Sequence, residues 1–209
     1  MEIERVAGLL VILILTGCHG EAHTTGAPQN DEPTEWWFNF FTPEALPALV
    51  TFAGVQDAEG KVYEFNTLDS TRALNGVVGQ WNHVKRPPRH IIFCWDSIID
   101  KRVYQTTLTI PEPVVDKMLR PGVNQDYPGK GKYYNTIQIG LAPEGKVAVW
   151  LSGVARGERG YRITPSVLKT LSGDKLDICK GITRFSHGYE YGKDTEIFIK
   201  GKKYPYGQW

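Results

Sequence analysis

From Tyr133 to Gly153 the chain reads YYNTIQIGLAPEGKVAVWLSG. Ile137, Ile139 and Leu141 alternate with other residues, Pro143-Glu144-Gly145 breaks the run, and Val147, Val149 and Leu151 alternate again. A period of two on both sides of a glycine-ended turn predicts an antiparallel hairpin with one buried face. That face needs a cover, and the rest of the chain is rich in strands that supply one.

The folded body opens at EWWFNFF, Glu35 to Phe41. ALVTFAGV and GKVYEFNT follow, joined by Asp57-Ala58-Glu59-Gly60, which predicts a second hairpin with a type I turn. His90 to Ile110 supplies two more strands. Along the later one, Tyr104, Thr106, Leu108 and Ile110 share one face, and Val103, Gln105, Thr107 and Thr109 the other. PEPVVDKMLRPG predicts one short helix, with Val114, Val115, Met118 and Leu119 as its apolar stripe and Pro121-Gly122 as its stop. Ser70 to Arg89, with Pro87-Pro88, reads as a long connection holding a short helix near Thr71 to Leu74. The runs YRIT, KLDIC, ITRFSHGYEY and TEIFIK in the tail are β-prone. The expected fold is mainly β: an antiparallel β-sandwich or curved sheet with one or two short helices.

The N-terminus has another character. Val6 to Leu15 is an apolar run too short for an anchor helix, which needs about 20 residues. It fits the ~7–15-residue core of a secretory signal. It closes in LTGC, Leu15 to Cys18, which resembles the bacterial lipobox. That resemblance implies cleavage before Cys18 and acylation of its thiol and new amine. Glu2 and Glu4 outnumber Arg5, a departure from the usual basic start. His19 to Thr34, HGEAHTTGAPQNDEPT, lacks apolar periodicity and reads as a tether, with His19 and His23 solvated. The expected organisation is a signal peptide at 1–17, a tether at 18–34 and a single β-rich domain at 35–209.

The formal net charge of +1 argues against a nucleic-acid partner. The short basic stretches KRPPR and KGKK read as solvated faces. With Cys18 lipidated, Cys94 and Cys179 remain, either as a disulfide or as two buried thiols. No Gly-x-Ser-x-Gly elbow is present. Asp96-Ser97 and Ser186-His187 are sequence neighbours, which does not make a triad. His83 and His90 are separated by a basic, proline-broken segment, and Cys94 and Asp96, which share one strand face, read as a small buried residue beside a polar one and not as a zinc site. No catalytic residue, metal or cofactor is expected. Trp95 and Trp150 read as core. Trp36 and Trp37 are adjacent, so one faces in and the other is a candidate partner contact. Tyr127, in the polar loop Arg120 to Lys132, is a second candidate.

PRHIIFCWDSIIDKRVYQTTLTIP and IQIGLAPEGKVAVWLSG together resemble the domain of unknown function 2931 family. The first carries its Trp-x-Ser element, Trp95-Asp96-Ser97, and the Tyr of the next strand, Tyr104. The second carries its Gly-Leu-Ala-Pro-x-Gly hairpin. The resemblance covers about Trp36 to Gly153 and implies a lipoprotein of a Gram-negative envelope, held by lipid at the periplasmic face of the outer membrane. Some relatives resemble immunity proteins encoded beside lipase-type toxins of type VI secretion. The implied function is binding and occluding such a toxin; the alternative is an envelope-maintenance lipoprotein that binds another envelope component.

Overall fold

The computed structural model describes residues 33–43, 46–66, 70–71, 82–122, 132–152, 160–190 and 192–201. In chain order the strands are β1 (Trp36–Phe41), β2 (Ala48–Asp57), β3 (Val62–Phe65), β4 (Ser70–Thr71), β5 (Asn82–Val84), β6 (Pro88–Ser97) and β7 (Arg102–Thr109). Helix α1 (Glu112–Met118) follows, then β8 (Pro121–Gly122), β9 (Lys132–Tyr133), β10 (Thr136–Ala142), β11 (Lys146–Leu151), β12 (Tyr161–Ile163) and β13 (Val167–Ser172). Helix α2 (Lys193–Ile199) comes last. The first sheet has the order β12-β11-β10-β1-β5, and the second β13-β7-β6-β2-β3 with β4 beside β2. A two-stranded ribbon joins β8 to β9. The fold is mainly β with two short helices. Its pairings are antiparallel except for β1 with β10.

The alternation in β10 and β11 has the expected result. Ile137, Ile139, Leu141, Val149 and Leu151 are buried on one core shared with Trp36, Phe38 and Phe40 of β1 and Ile91, Phe93 and Trp95 of β6. Phe40 meets Phe93 across the two sheets at 4.9 Å, and Phe38 meets Phe65 edge-on at 5.2 Å. Each such ring removes a large apolar area from water, about 1.5–3 kcal/mol per fully buried side chain. In the β2–β3 hairpin Asp57 is the turn's organiser. Its carboxylate accepts the N–H groups of Glu59 and Lys61 and the Tyr63 hydroxyl, and Gly60 takes φ +88°. Helix α1 buries Val115 and Met118, with Glu112 in its first turn and Lys117 in its last, while Leu119 is exposed.

Several expectations need correction. The connection from Ser70 to Arg89 contains strands: Ser70–Thr71 is β4, Asn82–Val84 is β5, and β6 begins at Pro88. Proline is compatible with the first position of a strand, where no ladder donor is missed. Thr71 is therefore not helical, and residues 72–74 lie outside the described set. In the tail, YRIT holds a strand, but KLDIC and most of ITRFSHGYEY form turns and irregular chain. TEIFIK lies in α2, where Asp194 and Glu196 occupy the first turn. A short run of Thr, Ile and Phe has no length to decide between strand and helix. Trp150 is not core: it stands on the outward face of β11, half-buried between Phe41 and Arg162.

Candidate functional site

The adjacent tryptophans divide as strand geometry requires. Trp36 is fully buried in the core, and Trp37 is half-buried on the outward face of the first sheet. Register places Trp37 beside Thr136 and His83, and its ring lies 4.9 Å from the His83 imidazole. Two residues on, Asn39 faces the same way opposite Gln138, and Phe41 follows opposite Gly140. The Phe41 ring contacts Trp150 at 5.2 Å, and the Arg162 guanidinium sits 5.5 Å over the Trp150 ring. Glu35 holds the fringe, 3.1 Å from Lys85 and 3.4 Å from His83. This is a face of aromatic rings with a histidine and an arginine, the residue types that dominate protein interfaces.

Asn39 is the anomaly on that face. It is fully buried, and among the described residues neither its amide nitrogen nor its carbonyl oxygen has a partner. Buried amides in native proteins are almost always paired, and an unmet one costs about 1–3 kcal/mol. Nothing in the alternation of WWFNFF marked it, because an Asn on an outward position reads as solvated. Cys18 and Tyr127, the other expected contacts with lipid and partner, lie outside the described residues.

The three parts of the family pattern quoted above meet at one end of the sandwich. Trp95 stacks on Tyr104 at 4.7 Å, and its indole N–H donates to Thr106, which shares a hydrogen bond with Thr170. The Tyr104 hydroxyl and the Glu144 N–H both donate to Asp100, whose own N–H donates to the Ser97 hydroxyl. Burial first, then the Asp100 carboxylate, pushes the Tyr104 phenol above its ordinary value. The Pro143–Gly145 turn of one sheet is thereby fastened to the β6–β7 turn of the other. Ser97 is buried within this knot, and His187 is exposed on the tail.

A second constellation lies on the outward face of the second sheet. Cys94 of β6 and Cys179 are joined by a disulfide, with their Cα atoms 5.4 Å apart. Two residues along, Asp96 is fully buried and accepts three hydrogen bonds. The Thr183 hydroxyl donates to Oδ1 at 2.7 Å, the Tyr189 hydroxyl to Oδ1 at 2.8 Å, and the Arg184 N–H to Oδ2 at 3.1 Å. Gln105 of β7 accepts the N–H groups of Asp177 and Cys179. Burial, then the bond to Asp96 and its charge, raises the Tyr189 phenol. Residues 177–189 therefore form a strap fastened at Cys94, Asp96 and Gln105. Its traces in the sequence were the pair Cys94 and Cys179, open as a disulfide or two thiols, and the shared face of Cys94 and Asp96. Its chemistry is that of a clamp, since the carboxylate is occupied by three donors. The basic stretch beside β5 is likewise committed: Lys85 pairs with Glu35, Arg86 with Glu59 and Arg89 with Glu112.

Among the described residues no three of His, Cys, Asp and Glu gather in a way that could hold a metal ion. No helix of the described residues is long and apolar enough to cross a membrane. The family model described as Protein of unknown function (DUF2931) matches residues 22–207, and the chain belongs to that family. No curated protein matches the chain, and no solved structure does.

Proposed function

We propose that the protein is a non-enzymatic immunity lipoprotein, held by lipid on Cys18 at the periplasmic face of the outer membrane. In this reading it binds a lipase-type toxin of type VI secretion and blocks the mouth of the toxin's cleft. The observation that carries the reading is the outward face of β1. Trp37 stands half-buried beside His83, and near it Asn39 is buried with neither amide atom partnered among the described residues. A protein keeps a cost of that kind where function needs it. LTGC supports the anchor, and the residue after Cys18 is His19, not the Asp that retains lipoproteins in the inner membrane of enteric-type bacteria. The likeness of some relatives to immunity proteins supports the partner class.

The test is survival of a sensitive strain exposed to the toxin encoded beside this gene, paired with binding of the purified proteins. Trp37→Ala should weaken binding by about 2 kcal/mol, roughly 30-fold, as a central aromatic contact does. His187→Ala should leave protection intact. Cys18→Ala should lose both labelled-palmitate incorporation and protection. If no adjacent toxin binds, or if His187→Ala in a folded protein abolishes protection, occlusion is the wrong mechanism. A growth defect of the deletion strain without any toxin would then point to envelope maintenance.

A further inference from the structure

The sandwich has two unlike ends. At one, the Tyr104–Asp100 knot ties the sheets together, and Ile98 and Ile99 of the β6–β7 turn are buried. At the other, β1 begins, so the segment that the sequence reads as a tether enters the folded body there. Register and contacts bring helix α1 and the starts of β3, β10, β12 and β13 to this second end. Trp37 lies against Thr136, Leu151 against Tyr161 and Thr109 against Val167. The Lys85 N–H donates to Tyr63 of β3, and the Lys117 ammonium of α1 reaches the Tyr161 ring.

Apolar side chains stand open at this end. Val62 is 62% exposed, Tyr161 53%, Val167 47% and Leu119 39%. Among the described large apolar residues, only Leu168, next to Val167, and Ile178 and Ile197 of the tail are as open. Cations accompany them. Lys61, Lys117 and Lys132 have no carboxylate partner among the described residues, whereas Lys85, Arg86 and Arg89 are all paired. The Lys61 ammonium lies 5.1 Å over the Tyr63 ring, and that of Lys117 4.5 Å over Tyr134. Unpaired lysines set among tyrosines and open apolar tips suit the headgroup region of a bilayer. The rings and tips enter the interface, and the ammonium groups meet the phosphates.

The tether chooses a bilayer over a protein partner. His19 to Thr34 is 16 residues of flexible chain, about 22 Å in root-mean-square length. A chain held at Cys18 therefore keeps this end, and not the knotted one, beside the lipid. Its effective concentration there is on the order of millimolar, so weak docking is enough. We infer that this end of the sandwich docks on an anionic phospholipid surface and leaves the outward face of the first sheet open beside it. The inference rests on the anchored reading proposed above.

The probe is a vesicle of phosphatidylcholine, alone or mixed with phosphatidylglycerol, carrying the full chain. Hydrogen exchange is followed segment by segment. On the anionic vesicles it should slow at 58–62 and 160–162 and stay unchanged in the knotted turns at 98–102 and 143–146. Lys61→Glu combined with Lys132→Glu, both at exposed positions, should lower the docking equilibrium at least about tenfold and return those rates to the phosphatidylcholine values. Lys175→Glu with Lys180→Glu, exposed in the tail, should leave them slow. Palmitate uptake by the wild type and by Cys18→Ala reports the anchor separately. The apolar run from Val6 to Leu15 is common to every form, so docking and anchorage can each fail without the other. No slowing, equal slowing at both ends or on both kinds of vesicle, or protection that survives the reversal of Lys61 and Lys132 would overturn the assignment.

Discussion

Gly145 shows how one residue can tie two sheets. It sits at φ +71°, and a Cβ there would lie 2.8 Å from Tyr104 Cε1 and 3.1 Å from Thr170 Cγ2. Both neighbours belong to the opposite sheet, so the turn can close only where no side chain exists. Gly145→Ala should cost about 1–3 kcal/mol, from left-handed strain and overpacking together. That corresponds to a fall of several degrees in a thermal melt for a domain of this size. An unchanged melting temperature would mean that the turn does not bear on Tyr104. The glycine was legible as a turn residue from the sequence. Its contact with Tyr104 was not, because that contact depends on how the two sheets stack. Asn39 was hidden for a related reason: burial of an outward position is decided by its surroundings, not by strand parity.

At the scale of elements, the hairpins could be read because alternation and turn chemistry are local. The strap could not. Its residues have no period, and its order comes from groups far away in sequence: Cys94, Asp96 and Gln105. β-prone composition in KLDIC and ITRFSHGYEY predicted strands, yet the donors there are spent on a carboxylate and an amide. The double variant Cys94→Ser, Cys179→Ser should lose about 2–5 kcal/mol, the usual cost of removing a native bridge. Hydrogen exchange should rise most between residues 177 and 189, with β10 and β11 changing less, because Asp96 and Gln105 alone hold the strap more loosely. Uniform loss of protection across all strands would show that the strap is part of the global folding unit.

For the whole molecule, two phenols, Tyr104 buried and Tyr189 half-buried, set an alkaline limit. Tyr104 and Tyr189 both titrate above their ordinary value in the fold, each held neutral by burial and a nearby carboxylate. The folded state thus keeps protons that the unfolded chain releases near pH 10. Their stabilising contribution is complete below about pH 10 and is lost as pH rises toward the folded values. Denaturant melts should therefore show stability falling above about pH 10, and Tyr189→Phe should flatten that slope while lowering stability at neutral pH through the lost bond to Asp96. A slope equal to the wild type's would separate the phenol from the effect.

The parallel pairing of β1 with β10 has a bearing on how the chain comes into being. Trp37 lies against Thr136, roughly a hundred residues downstream, so the first strand to be made has its central neighbour among the late ones. A chain delivered N-terminus first must hold WWFNFF, its most aromatic run, without that neighbour until β10 arrives. Among the described residues only β5, three residues long, pairs with its edge in the interval. Biogenesis therefore exposes a sticky, aggregation-prone segment at the very start, and dependence on a holding chaperone during delivery is the expected burden of this topology.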